Sequence, residues 1–424
     1  MKLRFAQKIL ETVDKTFFAK GRPFHFVSPL FEAADVFFFT PNRKARGKCH
    51  VRDCNDFKRM MMTVIYALIP CVVMGLYNVG YQANRAMEFT GATQASGDWH
   101  AAVLNWIDGV CPVLNIFGAS PWNIVGNLVH GLVYFLPLYL VTMIVGIGWE
   151  TLFAKINNHE INEGFFVTGI IFPLTCPPNI PLWQVAIAIS FGTVIGKEIF
   201  GGTGRNFLNP ALVARAFLFF AYAGSISGER VWTTNYVDGF TGATPLSIAT
   251  NPDPIAGGVT GLATHGYSML ECFIGTIPGS FGETSTFACL IGALFLIVVG
   301  VASWRVMLSM TVGGMGMALL FYLVGSETNA AFGLGPFWHF VLGGFAFGMV
   351  FMATDPVSAA STHIGQYIYG LLVGALVIII RVLNPAYPEG TMLAILFGNC
   401  CAPLIDWFVV QSNIKRRERR LAAK

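Results

Sequence analysis

Long apolar runs, each near the length of one bilayer crossing, follow one another along this chain with short polar breaks between them. About 20 apolar residues cross the hydrocarbon layer as a helix. Runs of that kind lie at about 60–82, 123–149, 164–177, 181–200, 207–223, 286–303, 305–324, 337–354, 366–383 and 390–411. The pattern predicts an all-α, polytopic membrane protein with about ten transmembrane helices. The third run is short and ends in Thr175-Cys176-Pro177-Pro178, so a broken or partial crossing is expected there. The first 58 residues hold no span. Phe5, Ile9, Leu10, Val13 and Phe17 fall on one helical stripe there, which suits a membrane surface or a partner.

Weak echoes join the two ends of the pattern. Phe172-Pro-Leu-Thr175-Cys-Pro177 returns as Phe351-Met-Ala-Thr354-Asp-Pro356, and Arg205-Asn-Phe-Leu208-Asn209-Pro210-Ala211 as Arg381-Val-Leu383-Asn384-Pro385-Ala386. A duplicated unit of five spans explains both. An odd number of spans per copy inverts one copy relative to the other, giving a 5+5 inverted repeat with broken helices. The bland reading is that Thr-x-Pro and Asn-Pro are ordinary helix-edge punctuation. The organisation expected is 1–58 cytoplasmic, 59–223 and 286–411 as the five-span halves, 224–285 as an external loop, and 412–424 as a basic cytoplasmic tail.

Composition and charge agree with a bilayer setting. Of 424 residues 54% are hydrophobic and 12% charged, where soluble domains carry about 25% charged residues. Lysine and arginine crowd the first 59 residues and the run Lys415-Arg416-Arg417-Glu418-Arg419-Arg420, while Arg230 is alone in 224–285. Both termini are therefore expected in the cytoplasm and the long loop outside. No cleavable signal peptide is expected, no nucleic-acid partner is implied, and the lipid bilayer is the immediate surrounding. The nine cysteines include no Cys-x-x-Cys, which argues against an iron–sulfur or zinc site built by this chain alone.

Charges inside spans are costly and ask for a reason. Asp406 and Arg215 are read either as functional or as buried structural ion pairs, and Glu150 and Lys197 as snorkelling at the interface. His130 and His339 read as satisfied core residues. The loop Gly201-Gly202-Thr203-Gly204-Arg205-Asn206 has slim backbone beside a positive charge. It suits a phosphate or a polar aromatic edge, or simply close helix approach. The aromatic run Phe217–Tyr222 suits stacking of flat rings, or contact with lipid.

One short motif stands apart. Asp238-Gly239-Phe240-Thr241-Gly242-Ala243-Thr244 sits in the long loop and resembles the acceptor at which a flavin transferase esterifies FMN phosphate onto the last threonine. The alternative is an Asp-Gly turn followed by ordinary loop threonines. Together with Asn162-Glu-Gly-Phe-Phe-Val-Thr168, Gly201–Ala211 and Asp355-Pro356, the motif makes the whole chain similar to the B-type membrane subunits of bacterial sodium-translocating NADH:quinone reductases. The basic N-terminal extension separates it from the related D-type subunits of Rnf complexes, which are kept as an alternative. A flavin-independent channel or permease for a small polar solute, and a purely structural membrane subunit, are the others.

The resemblance implies covalent FMN on Thr244, with Asp238, Thr241, Gly242 and Ala243 recognised by the transferase. It implies non-covalent riboflavin, for which Gly202, Arg205, Asn206 and Asn209 are the candidates. It implies ubiquinone near Gly146 and Glu150, and the A, C, D, E and F subunits as partners in a bacterial inner membrane, with Thr244 on the periplasmic side. Asp406 and Glu198 are the candidate Na+ contacts.

Overall fold

The computed structural model describes residues 57–91, 99–112, 123–157, 164–234, 242–253, 255–384, 387 and 389–422. The expectations for the amphipathic stripe, for Asn162, and for Asp238 and Thr241 lie outside these residues. Among the described residues the secondary structure is helical throughout. The principal helices are α1 (Phe57–Thr90), α2 (Trp99–Val110), α3 (Ile124–Asn157), α4 (Gly164–Leu174), α5 (Leu182–Gly196) and α6 (Pro210–Ala221). Three short helices follow in the long loop: α7 (Pro245–Ala249), α8 (Gly258–Thr264) and α9 (Met269–Ile274). The second half holds α10 (Thr286–Val299), α11 (Trp304–Val324), α12 (Pro336–Val341), α13 (His363–Leu383) and α14 (Thr391–Ala422).

Six helices, α1, α3, α5, α11, α13 and α14, are long and apolar enough to cross a membrane, with α5 counted through Phe200. Shorter apolar helices fill three more of the expected runs: α4, α6 and α10. The molecule is thus an all-α polytopic membrane protein, and large apolar side chains such as Ile144, Leu294, Val298, Leu323 and Phe408 face outward from it. The eighth run is not one crossing. It is α12, a kink at Leu342–Gly344 where Gly343 takes φ +65°, and a segment from Phe345 ending in a π-type turn at Gly348–Met352. That kink was not legible as a break, because Leu-Gly-Gly reads equally well as a slim stretch of helix. The helix α2, between the first two runs, was also not foreseen.

Close packing of the spans relies on missing side chains. A Cβ on Gly131 of α3 would lie 2.1 Å from the Leu76 carbonyl oxygen of α1, and one on Gly374 of α13 would lie 2.1 Å from the Met310 carbonyl oxygen of α11. Without glycine these helices would separate, as in other membrane bundles. The pairs α3·α4, α3·α5 and α5·α6 pack in the first half, and α11·α12, α11·α13 and α13·α14 in the second.

The breaks are satisfied locally. At the end of α4 the Leu174 carbonyl accepts from the Gly282 amide at 2.7 Å, and the Thr175 hydroxyl donates to the Phe172 carbonyl at 2.8 Å. The Thr354 hydroxyl likewise donates to the Val350 carbonyl at 2.6 Å. Backbone freed at depth thus finds protein partners, as a low-dielectric setting requires. The second echo is looser: Asn209 caps the start of α6, whereas Asn384 ends α13.

Candidate functional site

Thr244 stands at the start of α7, in extended backbone, with Pro245 as the first helical residue. Its hydroxyl oxygen accepts from the Ser247 amide at 3.2 Å. That bond fixes the oxygen without using the hydroxyl proton, so the oxygen is placed and its proton is free to leave. Gly242 has a packing role. A Cβ there would lie 2.6 Å from the Glu229 carbonyl oxygen and 2.8 Å from Thr233 Oγ1, so only glycine lets the loop close onto the 229–233 segment. Ala243 is buried beside it.

Thr244 borders a cavity of about 460 Å³. Phe219, Trp232 and Tyr387 give it aromatic wall, and Arg215, Glu389 and His265 give it polar wall. Small-molecule sites run from roughly 300 to 1,000 Å³ and are mostly apolar with a few placed polar groups, so a flavin-sized group fits. Of the aromatic run in α6, Phe219 meets Tyr387 at 4.0 Å between ring centroids, while Phe220 is exposed. The run therefore divides, Phe219 facing the cavity and Phe220 facing outward.

Arg215 is buried and holds an ion-paired cluster beside this cavity. One guanidinium nitrogen donates to Glu283 at 2.6 Å, and another pairs with Glu389. The Ser280 hydroxyl donates to the second Glu283 oxygen at 2.6 Å. Burial pushes the Glu283 carboxyl up, and Arg215 draws it back. Burial also raises the Tyr387 phenol, again against the pull of Arg215. Arg215 is thus a buried, ion-paired residue that also borders the cavity. Neither glutamate was singled out in the sequence, since each lies in a loop. The signal available was that a lone arginine in a span demands carboxylates from elsewhere.

A second, smaller chamber lies where the two broken helices meet, beside the far end of α10. It measures about 70 Å³ and includes Lys197, Thr203, Asn206, Asn209, Thr354 and Asp355 in its wall. That is room for a few waters, not for a tricyclic ring. Of the riboflavin candidates, Asn206 and Asn209 reach it. Gly202 is buried in the loop with φ +88°, and Arg205 is exposed, its side chain lying against Gly201. Asn206 and Asn209 are also engaged locally, Asn206 donating to the Leu208 carbonyl at 2.9 Å and Asn209 accepting from the Ala211 amide at 3.0 Å.

Glu150 and Lys197 do not snorkel. Their side chains are 3% and 5% exposed and they form an ion pair with each other. Each charge carries the other into the interior, which two long side chains separately directed to the interface would not do. Lys197 Nζ also lies 3.9 Å from buried Glu198. Gly146 faces a ring: a Cβ there would lie 1.9 Å from Phe165 Cζ, so the glycine admits α4 at close range. Asp406 lies elsewhere. Its carboxylate accepts from the Ser361 amide at 2.7 Å, the Thr362 amide at 3.0 Å and the Thr362 hydroxyl at 2.5 Å, tying α14 to the start of α13. His130 and His339 are core residues, buried as expected.

The profile of one protein family covers residues 44–415. The chain belongs to the NQR2, RnfD, RnfE family. It is 52% identical over 404 residues to the B subunit of the Na(+)-translocating NADH-quinone reductase of Stutzerimonas stutzeri, covering 95% of this chain and 96% of that one. It is 51% identical over 415 residues to the protein of the same name from Pseudomonas aeruginosa strain LESB58, with 98% and 99% covered. For Chromohalobacter salexigens the figures are 51% over 417 residues, with 98% and 97% covered.

Proposed function

We propose that this chain is the B-type membrane subunit of a sodium-translocating NADH:quinone reductase and that Thr244 carries FMN through a phosphoester. Likeness over nearly the full length to proteins so named supports the first part, and favours it over an Rnf-type component. The second part rests on one observation: the Thr244 hydroxyl sits at the edge of a flavin-sized cavity with aromatic walls and a buried, ion-paired arginine. When bound, FMN supplies the electron transfer. This chain supplies the tether at Thr244 Oγ1, the ring-lined wall that excludes water, and a buried arginine close by. Asp238, Thr241, Gly242 and Ala243 are the sequence a flavin transferase would recognise.

In this reading the basic ends are cytoplasmic, Thr244 is periplasmic, and the membrane is the bacterial inner membrane. The two five-span halves are an inverted repeat, supported by the matching helix pairs and the satisfied breaks. NADH oxidation is assigned in this reading to one of the partners, the A, C, D, E and F subunits. Asp406 and Glu198 are the candidate Na+ contacts. Riboflavin beside Gly202, Arg205, Asn206 and Asn209, and ubiquinone near Gly146 and Glu150, complete this reading, and no step is drawn through them.

The test is the fluorescence of the denatured chain on a gel. The wild-type band should fluoresce and the Thr244→Val band should not. A signal persisting in the variant sinks the attachment site, and a dark wild-type band from active complex sinks the flavin reading altogether.

A further inference from the structure

The loop-side cavity has a charged wall whose purpose the tether alone does not explain. Arg215 is 5% exposed, yet it is part of the lining of the cavity that Thr244 borders. It comes from α6, in the first half of the chain, and its partners come from the loops before α10 and α14. The two partners are unequal. Glu283 has a side chain 8% exposed and is held by Ser280 as well, whereas the Glu389 side chain is 27% exposed and itself borders the cavity. A second, narrow recess brings Thr244, Glu283 and Glu389 into one lining. The threonine oxygen and the arginine's outer carboxylate thus share a wall.

We propose that Arg215 is the positioning cation for the flavin on Thr244, with Glu283 as its fixed anchor and Glu389 as the partner that shares it with the bound group. This rests on the reading that Thr244 carries FMN. The chemistry favours a guanidinium here. Anchored by one carboxylate, it keeps donors for a second anionic or carbonyl group in the same plane. The group esterified to Thr244 brings one phosphate negative charge. Each electron delivered to its ring adds another unless a proton follows. A buried cation near that ring stabilises the reduced form, and a carboxylate near it opposes reduction. Coulomb interactions across a poorly solvated wall are screened far less than in water, so a wall charge moves the equilibrium measurably.

The structural alternative is that the triad only ties the two halves together. The two roles differ in sign. In purified whole complex, titrated with dithionite as electron donor, the reduction midpoint of the threonine-linked flavin is followed spectroscopically. Arg215→Gln should favour the oxidised form about tenfold, a fall of roughly 59 mV for one electron. Arg215→Lys should recover part of that fall. Glu389→Gln should move the midpoint upward, and it leaves the Arg215–Glu283 anchor in place if Arg215→Gln does not assemble. Opposite shifts with the fluorescent band retained support the proposal. An unchanged midpoint in Glu389→Gln, or shifts of one sign in both variants, overturns it while leaving the attachment at Thr244 intact. A dark wild-type band removes both together.

Discussion

Among the described residues two ion-paired clusters are buried, and they are built to opposite ends. Around Arg215 one cation meets two carboxylates, and the group borders a cavity of about 460 Å³. Around Lys197 one cation also meets two carboxylates, Glu150 and Glu198, but the neighbouring chamber is only about 70 Å³. The charge count is the same. What differs is that Glu389 keeps part of its surface in the open, while Glu150, Lys197 and Glu198 are all nearly inaccessible. A closed cluster of this kind fixes helix positions, because each charge would be stranded without the others. An open one has a partner it can share. Buried charge in a membrane protein therefore points to a ligand only when a cavity reaches it.

The comparison breaks most readily at the closed cluster. Lys197→Met would break the buried ion pair with Glu150, a loss of about 3–5 kcal/mol, seen as a large drop in thermal midpoint of the detergent-solubilised complex. If that variant unfolds at the wild-type temperature, the pair does not hold α3 to the end of α5. Next in size is Gly242→Ala. It forces the loop off the 229–233 segment and should cost about 1–3 kcal/mol, with a dimmer flavin band per chain because Thr244 is displaced. A full-strength band in that variant would show that the close approach does not place the threonine.

Asp406 tests whether an exposed-side carboxylate belongs with either cluster. Asp406→Asn weakens three hydrogen bonds to the start of α13 and should lower stability by about 1–2 kcal/mol. An unchanged sodium dependence of quinone reduction would leave it as a helix tie alone. A shifted half-saturating sodium concentration would return it to the ion path. The smallest effect is expected for Glu389→Gln, about 1 kcal/mol or less, since the amide still accepts from Arg215 and part of the side chain is exposed. A loss as large as that of Lys197→Met would erase the distinction between the clusters.

Much of the fold was legible because hydrophobic length is a one-dimensional signal. Nine of the ten apolar runs fall on helices that the structure keeps apolar, and the short third run does end at Leu174, before Thr175-Cys-Pro. Run ends were less legible. Helix α1 continues to Thr90, and α14 runs through the basic tail to Ala422, because polar residues at a helix end do not stop it. The break at Leu342–Gly344 was missed, since Gly-Gly without proline marks a kink only when a neighbour intrudes. Here Glu283 does: its carboxylate oxygen lies 2.8 Å from where a Gly344 Cβ would stand.

The candidate site divides along the same line. Thr244 and Gly242 were readable as a local motif, because the proposed acceptor threonine and its slim neighbours are contiguous. Arg215 was readable only as an expensive charge. Its two carboxylates are 68 and 174 residues away in sequence, and no periodicity connects them. Gly146 and Glu150 show the same limit, since the resemblance named them but only the structure places Phe165 against Gly146 and Lys197 on Glu150.

By itself the sequence determined that this chain lives in a bilayer as a bundle of apolar helices, and which threonine to propose for attachment. Both follow from interactions within a few residues: transfer of contiguous apolar surface, and the chemistry of a short loop. Only the tertiary structure decided which buried charges meet, which are sealed, and which border a space. Those outcomes depend on desolvation and pairing across hundreds of residues, and such energies exist only once the helices are in contact.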